Sequence, residues 1–133
     1  MASQARAQVA VPLAHRVSAD GDAAQVAKVS CEIWQEIDTV LRPIIGLRGA
    51  VALFNRSVQL TSTHWPVLAH SALPDTATAL ETAALQSLLA QCSPADALAC
   101  GNALLHTFHQ LLSTLIGASL TERLLRSVWG PSP

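Results

Sequence analysis

The chain has 133 residues, of which 50% are hydrophobic and 13% charged, with a formal net charge of −1. This length fits a single domain, the apolar content excludes a wholly disordered chain, and the charge excludes the basic field that nucleic-acid binding uses. The charged fraction is about half that of an average domain. Few charged residues are therefore present to form the surface, so apolar surface is expected to stay exposed and to cause self-association.

The first 21 residues show no sustained hydrophobic period and include Pro12 and Gly21. We predict that residues 1–21 form a flexible arm and that residues 22–133 form one helical-bundle domain. The start of the chain also lacks the continuous apolar core of a secretory signal, because Arg6 and polar residues interrupt it.

Two long helices are predicted next, over residues 22–41 and 43–60. Pro43 separates them, since its ring clashes with the carbonyl four residues back and it is well suited to begin a helix. Each helix carries apolar residues at steps of three and four, which places them on one face. The stripes are Val26, Val29, Ile33, Ile37 and Val40, then Ile44, Leu47, Val51, Phe54 and Val58.

Residues 61–74 are predicted as a loop, which Trp65 pins to the core. A shorter helix should follow over residues 76–91, with Thr78 and Glu81 as a capping box. Ser93 and Pro94 then have the residue types of a helix N-terminus.

The fourth helix is predicted over residues 94–116, with Gly117 as its C-cap. We expect its main apolar stripe to be buried; the stripe comprises Leu104, Phe108, Leu111 and Leu115. A last helix should run over residues 120–129, opened by a capping box of Ser119 and Glu122. The elements together predict an all-α protein, a four- to five-helix up-and-down bundle.

The chain has no charged residue from Ala97 to Thr121, a length that invites comparison with a membrane span. Polar residues such as Asn102, His106 and Gln110 fall inside this window rather than at its ends. A buried helix of a bundle explains the pattern better, so no membrane span is expected. The three cysteines, an odd number without paired spacing, favour a reducing cytoplasm over a disulfide scaffold.

Candidate catalytic and metal-binding patterns are weak. His106 and His109 are neighbours on one helix, but no carboxylate follows Asp96 there, so we expect no metal and no cofactor. No lysine follows either histidine, which separates the chain from histidine-phosphotransfer domains. The cysteines lack a nearby histidine motif, so the chain is not expected to be an enzyme.

Four arginines in the helical part are candidates for binding an anion or the carboxylates of a partner. Arg48 and Arg56 are eight residues apart and share a helix face, and Arg123 and Arg126 lie on the last helix. Since they are dispersed and no aromatic residue interleaves them, they do not form a nucleic-acid footprint.

The segment Leu115–Trp129, with the pattern LIGxxLTxRLLRxxW, resembles small helical proteins of bacteria. The stretch Leu41–Gly46, followed by Phe54–Arg56 and a loop with Trp65 and Pro66, shares this resemblance. The resemblance implies no catalytic residue. It implies a regulatory role, by association with bacterial sensory proteins.

The sequence therefore predicts a non-enzymatic interaction or regulatory module of a bacterial cytoplasm, linked to signal transduction. It should act as a homodimer, with another protein as a further partner. The last helix has two apolar stripes about 100° apart, of which a short helix can bury only one against its own bundle. The candidate interface residues are Leu120, Leu124, Val128, Leu125 and Trp129, with Trp129 as anchor.

The alternative prediction is a bundle that binds a small apolar ligand. Its pocket would lie against the fourth helix and the Trp65 loop. The candidate pocket residues are Phe108, His109, Leu112 and Trp65.

Overall fold

The computed structural model describes residues 22–74, 77, 80 and 82–129, with the side chains of the last helix described as far as residue 126. Within these residues the protein is all-α, as predicted, with four α-helices and one 3₁₀ helix. The α-helices are α1 (Ala23–Thr61), α2 (Ala83–Ala90), α3 (Pro94–Ile116) and α4 (Ala118–Trp129), and the 3₁₀ helix spans Pro66–Ser71. The predicted arm, residues 1–21, lies outside the described residues.

Helix α1 is a helical hairpin, because its path is broken at Gly46 (φ 76°, ψ 166°). Trp34 and Phe54 lie about 18 Å before and about 12 Å after that glycine along the helix axes. Their ring centroids are nevertheless only 4.9 Å apart. The first limb (residues 23–45) and the second limb (residues 47–61) must therefore fold back on each other.

The two predicted helices of this region are thus present, but the residue that separates them is not the predicted one. Pro43 lies within the helical path of the first limb, where it is exposed. The chain reverses three residues later, because Gly46 alone there adopts a positive φ that other residues rarely adopt.

The core is centred on Trp34, which contacts Phe54 and Phe108 edge-on, each at a centroid distance of 4.9 Å. These rings join the two limbs of α1 to α3. Helix α2 packs against α1 and α3, and α4 packs against α3 and α1. The fold is therefore built around the α1 hairpin, with the later helices laid on it.

The connection from α1 to α2 is tied to the hairpin by side chains. The Asn55 amide accepts from Leu73 N–H (2.7 Å) and donates to Leu73 C=O (2.9 Å). Asp38, which is 9% exposed, forms a two-pronged ion pair with Arg42 and accepts from Leu80 N–H at 3.5 Å. The predicted loop over residues 61–74 therefore contains a 3₁₀ helix and a fixed return path.

Two further helix starts differ from the predictions. Helix α2 begins at Ala83 rather than near residue 76, because Leu80 N–H and the Thr82 hydroxyl bond to side chains of the first limb. The predicted capping box of Thr78 and Glu81 lies outside the described residues. Helix α4 begins at Ala118, so Ser119 lies inside its first turn and is not the N-cap.

Helix α3 forms as predicted. The Ser93 hydroxyl accepts from Asp96 N–H at 3.2 Å, and Gly117 (φ 94°, ψ 148°) follows as C-cap, with its N–H on Ser113 C=O. Gly117 is also the whole connection between α3 and α4. Gly46 and Gly117 thus adopt similar conformations at two sharp reversals of the chain.

Candidate functional site

An apolar corner lies where α3 ends and α4 begins. Leu115 is 61% exposed on the last turn of α3, and Leu120 is 38% exposed on the first turn of α4. A Cβ atom built on Gly117, between them, would have no other atom within 4 Å. The corner therefore presents two large apolar side chains on an open turn.

The exposure of Leu115 corrects the predicted burial of the α3 stripe. Leu104 and Phe108 are fully buried, Leu111 is half-buried, and Leu115 is the most exposed large apolar residue described. All four project from the same side of α3. Burial therefore decreases along this stripe, while Leu112 and Ile116, on the neighbouring side of the same turns, stay packed on the core.

In helix α4, the residue that is buried belongs to the stripe that the prediction left exposed. Leu125 is 1% exposed and packs into the core together with Thr121 one turn earlier. Leu120 is exposed and Leu124 half-buried. Leu125, a predicted interface residue, is therefore buried in the core of the single chain, while the side chains of Val128 and Trp129 lie outside the described residues.

The candidate pocket residues lie in unlike surroundings. Phe108 and Leu112 are fully buried, and the Phe108 ring meets the edge of Trp34. Trp65 is half-buried at the start of the 3₁₀ helix, where it packs on the core, and His109 is half-buried on α3. Phe108 and Leu112 are therefore part of the packed core.

The histidine pair on α3 lies beside α4. Burial lowers the pKa of His109 from its usual value, His106 lowers it further, and the Glu122 carboxylate opposes this shift. Among the described residues, no group of three or more His, Cys, Asp or Glu side chains could hold a metal ion. The interaction with Glu122 places His109 at the seam between α3 and α4.

The three cysteines are free. Burial raises the pKa of the Cys100 thiol to about 12, with smaller contributions from Cys92 and Asp96. Cys31 is half-buried and its sulfur accepts from the Thr82 hydroxyl at 3.0 Å. Cys100 therefore stays protonated, which makes it a poor nucleophile.

The four predicted arginines are all exposed. Arg56 donates to Gln59 Oε1 at 3.0 Å, while Arg123 and Arg126 lie on the outer side of α4, near the apolar corner. The pair of Arg42 with Asp38 was not among the predicted sites. Its signal was present, since an acid and an arginine four residues apart on a helix can pair.

No helix of the described residues is both long enough and apolar enough to cross a membrane. Comparison of the chain with protein-family models, with curated proteins and with solved structures finds no match.

Proposed function

We propose that this protein is a non-enzymatic helical interaction module that forms a homodimer through the apolar corner. The observation that carries the proposal is the exposure of Leu115 and Leu120 on the two sides of Gly117. A two-fold dimer covers such a patch economically, because the same surface then serves both partners.

The corner is the best candidate because its two exposed leucines flank the same turn, five residues apart along the chain. The other large apolar side chains described as exposed are Ile44, at 48%, and Leu60, at 37%. Ile44 lies beside the Gly46 turn, whereas Leu60 lies about 21 Å from that turn along the axis of the second limb. Single exposed apolar residues are ordinary on a protein surface, whereas a pair that flanks one turn favours an interface.

The charges around the corner fit a protein partner. Glu122, Arg123 and Arg126 are exposed on α4, so the helix that carries Leu120 also presents charged groups of both signs. An apolar centre with a polar rim is the usual anatomy of a protein interface.

The proposed setting is a bacterial cytoplasm, with a role in signal transduction. The three free cysteines support a reducing compartment. The resemblance of the segment Leu115–Trp129 to small helical proteins of bacteria supports the regulatory role, in which a further protein would bind the dimer.

The alternative function, binding of a small apolar ligand, has less support. Its central residue Phe108 is in contact with Trp34, so a ligand would have to separate two rings of the core. Nothing in the described residues favours that rearrangement.

Sedimentation at micromolar concentration tests the dimer. We expect a species of twice the chain mass of 14.0 kDa, and a monomer when Leu115→Ser and Leu120→Ser are combined. The matched control combines Ile44→Ser and Leu60→Ser, which removes comparable apolar surface elsewhere and should leave the dimer intact. A wild-type monomer, or a dimer that survives the corner substitutions, would contradict the proposal.

A further inference from the structure

The connection between α3 and α4 has the properties of a hinge. It is a single residue, Gly117, whose φ of 94° and ψ of 148° lie in a region that is essentially restricted to glycine. If this residue adopted helical angles, α3 and α4 would join into one continuous helix over residues 94–129. Short connections under such constraint favour exchange of the element beyond them between two copies.

Helix α4 is also held by few contacts of its own. Of its described side chains, Thr121 and Leu125 are buried, and Leu124 is half-buried. Over the described side chains, detaching α4 uncovers Leu125 and part of Leu124, whereas separating the limbs of α1 breaks the contact between Trp34 and Phe54.

One side of α3 carries buried polar atoms that are incompletely paired. Ser113 Oγ is buried without a hydrogen-bond partner, and so is Asn102 Oδ1 on the same side of α3. His109 and Glu122 interact across the seam between α3 and α4. Because Ser113 lies one helical turn after His109, its unpaired hydroxyl is next to this seam, where an unpaired buried polar atom costs free energy.

From these observations we infer that the homodimer forms by exchange of α4, with Gly117 as the hinge. In each copy, α3 and α4 join into one helix that extends away from its own bundle. Residues 118–129 of this helix then pack on the second copy, in the position from which that copy's own α4 has moved. Thr121 and Leu125 are then buried as before, so the exchange loses none of the contacts of α4. This inference rests on the proposed dimer and specifies how it is built.

The exposed leucines support exchange independently of the hinge. In an exchanged dimer the two joined helices pass each other near their Gly117 residues, where the chains cross between the copies. Leu115 and Leu120 lie within one turn of that crossing and would be covered there by the second copy. Exchange thus explains why exposed apolar residues lie at the turn rather than along either helix.

The test uses two changes at Gly117 that should shift the fraction of exchanged dimer in opposite directions. Gly117→Ala disfavours the closed turn and favours a continuous helix, so the dimer fraction at a fixed micromolar concentration should rise at least several-fold. Insertion of Gly-Gly-Ser after Gly117 relaxes the turn and should give a monomer. Gly49→Ala is the matched control, because Gly49 lies within the second limb, and it should leave the dimer fraction unchanged.

Sedimentation and subunit-exchange rates give the readout, with circular dichroism to confirm that each variant is folded. An exchanged dimer must release α4 to dissociate, so mixing of two labelled populations should be slow and should accelerate in mild urea. If the dimer is unaffected by both hinge changes and mixes rapidly, exchange of α4 is wrong while the proposed dimer stands. If the wild type is a monomer and Gly117→Ala leaves it so, both are wrong.

Discussion

Trp34, Phe54 and Phe108 illustrate how single residues organise this core. The three rings come from the first limb, the second limb and α3, and the contacts of Trp34 with the other two are edge-on. Such contacts add to the free energy of burying the rings. The aromatic cluster therefore joins three helical segments through one buried tryptophan.

Replacing Phe108 with alanine should lower the free energy of unfolding by about 3–5 kcal/mol, because it leaves a cavity against Trp34. Urea denaturation followed by circular dichroism measures the change. Leu115→Ala is the control, since Leu115 continues the same stripe but is exposed, and at a concentration that favours the monomer it should cost less than about 0.5 kcal/mol. Equal losses in the two variants would contradict the burial gradient along α3.

His109 predicts a dependence of stability on pH. Because burial and His106 hold its pKa below the usual value of 6.5, the folded protein binds fewer protons than the unfolded chain near that pH. Its contribution to stability is therefore fully present above pH 6.5 and is lost as the pH falls from there toward the lowered pKa.

Urea unfolding at pH 7.5 and 5.5 measures this effect. We expect His109→Gln to reduce the loss of stability on acidification, whereas His64→Gln, at an exposed position after α1, should leave it as in the wild type. An unchanged loss in the His109 variant would show that another group carries the dependence.

At the scale of elements, the α1 hairpin depends on one glycine. Gly46→Ala should cost about 1–3 kcal/mol of stability, since alanine has to adopt an unfavourable positive φ. Pro43→Ala should instead be neutral or stabilising, because it restores a backbone donor within the helical first limb. Thermal or urea unfolding compares the two variants, and the reverse order of effects would identify Pro43 as the residue that breaks the helix.

The return path from α1 to α2 depends on Asn55. Its amide pairs with both backbone groups of Leu73, at 2.7 and 2.9 Å. Asn55→Ala removes the hydrogen-bond partners of both Leu73 backbone groups. We expect the free energy of unfolding to fall by about 1–3 kcal/mol and the Leu73 amide to exchange faster. Gln59→Ala, one turn later on the exposed side of the same limb, should change neither quantity by a comparable amount.

At the scale of the whole molecule, the chain has few charged residues and many apolar ones, and the described surface includes the exposed apolar corner. A dimer that covers the corner adds binding free energy to folding. The melting temperature should therefore rise with protein concentration in the wild type. The variant that combines Leu115→Ser with Leu120→Ser should melt at one temperature across the same range, and a concentration-independent wild type would contradict the dimer.

The sequence by itself determined the all-α class and most of the helices, because hydrophobic spacing at three and four residues and capping residues are local signals. Ser93 and Gly117 bound α3 where the pattern predicts, and Leu104 and Phe108 are buried as their spacing requires. The two apolar stripes of α4 were likewise visible in its residues.

Only the tertiary structure decided which of those residues are covered. Leu115 has nearly the same helical phase as Phe108 yet is exposed, whereas Ile116 beside it packs on the core, because coverage depends on how the neighbouring helices are placed and not on the helix itself. Leu125 is buried and Leu120 exposed because α4 packs on α3 and α1 together, a contact between distant parts of the chain. Periodicity gives the apolar side of a helix, whereas the arrangement of the other elements determines how much of that side meets solvent.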